Sequence, residues 1–116
     1  MNSTRGAVPF EVEGESYVLR LTTNAQVRYQ DAAGESLLRA VAALQKEPDD
    51  LRRLRRIVWA GLSHIPGMTE EKAGDLMDAL GLHEAARLIG EAFRLAFPEA
   101  QAGGNGSAGK PKKATP

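Results

Sequence analysis

The chain contains no cysteine, which removes disulfides, thiolate nucleophiles and cysteine-bound metals from consideration. It has only two histidines, His64 and His83. Neither stands at HxxxH or comparable ligand spacing, so metal and acid–base roles are not expected of them. His64 falls near a predicted helix C-terminus, where a favourable dipole contact is the ordinary reading, and His83 falls in the first turn of the next helix. No apolar run approaches the roughly 20 residues that would span a bilayer. There is also no excess charge, because 15 basic and 15 acidic residues cancel. That balance argues against a dedicated nucleic-acid or membrane-surface protein. Setting aside Glu99, Lys110, Lys112 and Lys113 leaves 12 basic and 14 acidic residues. The opening stretch, with Pro9, Glu11 and Glu13, does not read as a signal peptide. The glycines from Gly103 to Gly109 follow no strand and precede no helix, so they do not form a phosphate-cradling loop. With no paired carboxylate constellation either, the expectation is a non-enzymatic, soluble, cytoplasmic protein without a cofactor.

What is present points to a mostly helical α+β fold in a single domain over residues 1–100. Residues 101–116, rich in Gly, Lys and Pro and without a large apolar side chain, read as a disordered tail. Val8, Phe10 and Val12 alternate with Pro9, Glu11 and Glu13, and Tyr17, Leu19 and Leu21 alternate with Val18 and Arg20. Period-two alternation gives each strand one apolar face, and Glu13-Gly14-Glu15 supplies a turn. Pro9 cannot donate a ladder hydrogen bond, so the first strand belongs at an edge. A lone hairpin is unstable, so this one is expected to pack on helices.

Beyond Leu21 the period becomes helical, and about five short helices follow. Thr23 with Gln26 forms a capping-box signature for a helix through about Ala33. A second runs from about Glu35 to Lys46 and stops before Pro48. Asp49 or Asp50 caps a third, which carries Leu51, Leu54, Ile57, Val58, Gly61, Leu62 and Ile65 at i, i+3, i+4 spacing. Pro66-Gly67 breaks it, Thr69 caps a fourth with Glu70 and Glu71 in its first turn, and Gly81 closes that one. A fifth, from about Leu82 to Phe97, presents Ala85, Leu88, Ile89, Ala92, Phe93 and Ala96 for burial. A core this small is marginal, so support from a partner or a homo-oligomer is in character.

The candidate contact residues lie on the third helix. Arg52, Arg53, Arg55 and Arg56 fan over the side opposite Leu54, Val58 and Gly61. One reading is a solvated face neutralised by Glu47, Asp49 and Asp50; the other is a docking face for an acidic or phosphate-bearing partner. Trp59 lies two turns after Arg52, on the arginine side of an ideal helix. It is either an exposed interface anchor beside Arg52, Arg55 and Arg56, or core covered by the hairpin or the first helix.

Four segments carry a family resemblance: Leu19 to Ala25, Trp59 to Leu62, Pro66 to Asp75, and Ala96 to Pro98. Together they resemble the gene-transfer-agent-type phage tail assembly chaperones, a family also described as tail tube proteins. The likeness covers Gly6 to Glu99. It implies a protein that binds the tape measure protein, and other tail proteins with it, and keeps it soluble during tail morphogenesis. Such a protein is displaced before the particle is finished. The alternative the same likeness allows is a structural tube or connector component retained in the particle. A nucleic-acid accessory using the arginine face is a third reading, disfavoured by the neutral charge.

Overall fold

A computed structural model describes residues 6–98. The predicted tail, 101–116, lies outside the described residues. The order of elements is β1 (Ala7–Val12), β2 (Glu15–Arg20), α1 (Thr23–Ala33), α2 (Leu37–Lys46), α3 (Leu51–Gly61), α4 (Glu70–Leu80) and α5 (Leu82–Ala96). The expected α+β fold is present: one antiparallel hairpin on five helices.

The hairpin turns over Glu13 and Gly14, with Val12 facing Glu15 across the last pair. Both turn residues have positive φ, 51° and 83°, which matches the right-handed twist of the flanking strands. Val8, Val12 and Leu19 are buried on the face that meets the helices. Phe10 and Tyr17 stack on the same face, with ring centroids 5.3 Å apart. Pro9, Glu11, Ser16 and Arg20 are exposed on the other.

Helix α3 runs through the core, contributing Leu54, Ile57, Val58, Ala60 and Gly61. Its glycine has a packing reason. A Cβ on Gly61 would stand 2.5 Å from Leu19 Cδ1 and 3.0 Å from Leu19 Cγ, so only a bare backbone lets β2 lie so close to α3. Around this centre pack Leu21, Tyr29, Leu37, Ala40, Met77, Leu88, Ile89 and Ala92.

Several boundaries differ from the sequence expectation, each for a local reason. The α1 cap is Thr22, whose hydroxyl accepts from the Ala25 amide at 3.2 Å; Gln26 instead donates to the Leu21 carbonyl at 3.1 Å. Ser36 caps α2 by accepting from the Arg39 amide, so that helix starts at Leu37 rather than Glu35. Of the two acids expected to cap α3, Asp50 does so, as anticipated. Helix α3 ends at Gly61, and Ile65 belongs to the turn that follows, where it is partly buried against the core. Thr69 and Gly81 bound α4 as expected. Leu51, counted among the apolar positions of α3, is half exposed.

Candidate functional site

The four α3 arginines separate into two pairs with different duties. Arg53 faces inward. Its Nη2 and Nε donate to the two carboxylate oxygens of Glu35, both at 2.8 Å, and its Nη1 donates to Asp50 Oδ2 at 2.9 Å. The Tyr29 hydroxyl donates to the same Glu35 carboxylate at 2.6 Å. Planar guanidinium and carboxylate are matched for such a two-point contact. The Arg53 guanidinium holds Glu35 at about 2, far below the ordinary carboxylate value, and the Tyr29 donor helps. Burial, followed by the Glu35 carboxylate, raises the Tyr29 hydroxyl. This cluster pins the α1–α2 junction to α3. It is structural, and it involves a carboxylate 18 residues from its arginine.

Arg56 is likewise committed. Its Nε donates to Glu70 Oε2 at 3.2 Å and its Nη1 to the Ala32 carbonyl at 3.3 Å, tying the ends of α1 and α4 to α3. Arg55 reaches the other Glu70 oxygen at only 3.7 Å, and that oxygen is buried without a hydrogen-bond partner. Glu70 is therefore hydrogen-bonded through Oε2, and its Oε1 is held by the Arg55 charge alone. The carboxylates that neutralise the arginine side are Glu35, Glu70 and Asp50; of the three upstream acids expected to do so, only Asp50 forms an ion pair among the described residues.

Arg52 and Arg55 are left facing an open groove of about 490 Å³ between α3, α4 and the start of α5. Opposite them stand Glu71, Asp75 and Asp78 of α4. Their spacing of four and three residues sets them along one helix face. Met77 forms part of the floor, and Leu51 and Leu82, 50% and 46% exposed, are the remaining large apolar side chains of the lining. Gly74 lies between the acids, where a Cβ would meet Arg55 Cδ at 3.1 Å; its bareness lets the Arg55 stem cross α4. None of Arg52, Glu71, Asp75 and Asp78 forms an ion pair with another described residue. A second hollow of about 640 Å³ lies on the other side of Asp75, between α4 and the hairpin, with Val12, Tyr17, Met68 and Leu76 in its lining.

Of the contact residues expected from the sequence, Arg52 and Arg55 line the groove, whereas Arg56 shares a smaller cleft with Arg52, Arg53 and Tyr29. Trp59 joins neither. It is partly buried and packs against the core, which lies between the two readings. Sequence reasoning overlooked Leu51, Leu82 and the α4 acids; the i, i+4, i+7 spacing of Glu71, Asp75 and Asp78 was the available signal.

His64 lies in the turn after α3 rather than on the helix. Loss of hydration and then the Arg20 charge lower its pKa, against the Gly61 backbone, which raises it. No group of three or more potential metal ligands occurs among the described residues, and no described helix is long and apolar enough to cross a membrane. No family model, curated protein or solved structure matches this chain.

Proposed function

We propose that this protein is a non-catalytic tail assembly chaperone that holds an amphipathic helical segment of the tape measure protein and keeps it soluble until the tail is built. The observation that carries the reading is the α3–α4 groove, with a basic wall, an acidic wall, and leucines left in water. An amphipathic helix fits such a groove by burying its apolar stripe on Met77, Leu51 and Leu82. Acidic residues along one flank would meet Arg52 and Arg55, and basic residues along the other would meet Glu71, Asp75 and Asp78. Charged walls select orientation and partner more than they add affinity, and weak affinity per copy suits a factor that must be displaced. The resemblance of Trp59 to Leu62 and Pro66 to Asp75 to the chaperone family supports the same conclusion.

The structural alternative, a retained tube or connector component, would call for strands that close a ring, and the described residues hold a single two-stranded hairpin. Co-expression with the cognate tape measure protein tests the proposal. The expected result is soluble tape measure protein only when this chain is present, with the effect lost in the Arg52→Glu, Asp75→Lys double variant. A tape measure protein equally soluble alone would end the chaperone reading. Stoichiometric recovery of this chain from finished particles by mass spectrometry would favour the structural one.

A further inference from the structure

The hairpin has two outer edges, and they are not equivalent. In an antiparallel pair, residues alternate between those that exchange hydrogen bonds and those whose N–H and C=O point away from the partner strand. The phase is set here by the two-residue turn closing on Val12 and Glu15, and by the Leu21 amide donating to the Gly6 carbonyl at 3.1 Å. Phe10 with Tyr17 and Val8 with Leu19 are therefore bonded pairs. Glu11 with Ser16, Pro9 with Val18, and Ala7 with Arg20 turn their backbone groups outward. On β1 that outward row is broken in its middle by Pro9, which has no donor. On β2 it is intact at Ser16, Val18 and Arg20, and no turn, loop or helix among the described residues supplies these groups with a backbone partner. Ser16 and Arg20 are exposed.

The outward face of the hairpin also matches a copy of itself. Two β2 strands laid antiparallel about a two-fold axis through Val18 set Ser16 of each against Arg20 of the other. Glu11 pairs with Ser16 in the hairpin, so the row across the strands reads Glu11, Ser16, then Arg20 of the second copy. Strands stand about 4.8 Å apart, which places Glu11 and that arginine roughly 10 Å apart at the backbone. Ser16 between them is small enough for the two long side chains to meet over it. Symmetry supplies the row twice, with Val18 packed on Val18 at the axis. A parallel arrangement would instead set Arg20 beside Arg20.

We propose that β2 is a self-association edge through which two copies form a four-stranded antiparallel sheet. About six backbone hydrogen bonds and two Glu11–Arg20 contacts join the copies. The proposal is independent of the groove and of what the groove holds.

Sedimentation velocity of the full chain over a range of concentrations tests it. The expected result is a concentration-dependent dimer. Val18→Pro deletes an outward donor without removing a bond inside the hairpin, and should leave a folded monomer by circular dichroism. Because proline also constrains the strand, Arg20→Glu provides a second arm. It should weaken dimerisation roughly tenfold, and Glu11→Arg combined with Arg20→Glu should restore it. A protein that is monomeric at every concentration overturns the proposal. So does a dimer unaffected by Val18→Pro and Arg20→Glu.

Discussion

Replacing Gly61 with alanine opposes two forces whose sizes are set by the α3–β2 contact. Alanine is the better helix former by about 1 kcal/mol in a helix interior and by only a few tenths at the last residue of a helix, where Gly61 stands, so without a neighbour the change would stabilise slightly. Here the new methyl would stand 2.5 Å from Leu19 Cδ1 and 3.0 Å from Leu19 Cγ. Leu19 is 1% exposed, and a Cγ contact is not relieved by rotating the end of the side chain. Overpacking of this kind costs typically 1–3 kcal/mol, with more where the neighbour cannot yield. The clash should win by about 1–2 kcal/mol, lowering the melting temperature by roughly 5–10 °C for a domain of this size. A double-mutant cycle makes the reasoning specific. Leu19→Ala alone should cost about 2–5 kcal/mol through the cavity it leaves. With both substitutions the cavity accepts the new methyl, and the combined loss should fall short of the sum by at least about 1 kcal/mol. Chemical denaturation of the four proteins measures this. A stabilised Gly61→Ala protein, or strict additivity, would refute the assignment of Gly61 as the point of closest approach.

Three further outcomes follow from the geometry. Gly74→Ala, whose added Cβ meets only the flexible Arg55 stem at 3.1 Å, should raise stability by about 0.5–1 kcal/mol, read as a higher denaturation midpoint; a loss would mean that Arg55 cannot move aside. Glu13→Asn should add about 0.5 kcal/mol by thermal melting, because Glu13 takes a φ of 51° that asparagine tolerates better in such a turn. Glu35 is held at about 2 against an ordinary 4.5, so its stabilisation is complete above pH 4.5 and is lost as the pH falls through about 2. At about 1.4 kcal/mol per decade that is on the order of 3 kcal/mol at most. Acid unfolding of Glu35→Gln should therefore be shallower than that of the parent across this window, and identical curves would count against the Tyr29–Glu35–Arg53 cluster.

Local signals in the chain were enough for the elements but not for the site. Thr69, Gly81 and Pro66-Gly67 bound their helices because caps and breakers act within a turn of where they stand. The choice of Thr22 over its neighbour Thr23, and of Asp50 over Asp49, depends on backbone angles that two adjacent cap formers do not distinguish. The fate of the arginines was hidden for another reason. Glu35 and Glu70 lie 18 and 14 residues from Arg53 and Arg56, beyond the reach of any periodicity. Helix periodicity counted Leu51 among the apolar positions, yet the groove beside it leaves that side chain in water. Trp59 fell on the arginine side of an idealised wheel, but a wheel carries no information about which neighbours pack over that side.

The closeness of Gly6 to Ala96, where a Cβ on the glycine would lie 3.1 Å from the alanine methyl, bears on how the molecule is made. Strand β1 leans on α5, so a ribosome must deliver almost all of the described residues before this particular contact can close, although Leu19 can meet Gly61 of α3 earlier. Until then the hairpin can rest only on α3 and α4, and its seat on α5 stays unfilled. The same adjacency would let an engineer join strand to helix by a short linker and open new ends elsewhere, giving a permuted chain whose hairpin emerges after its support.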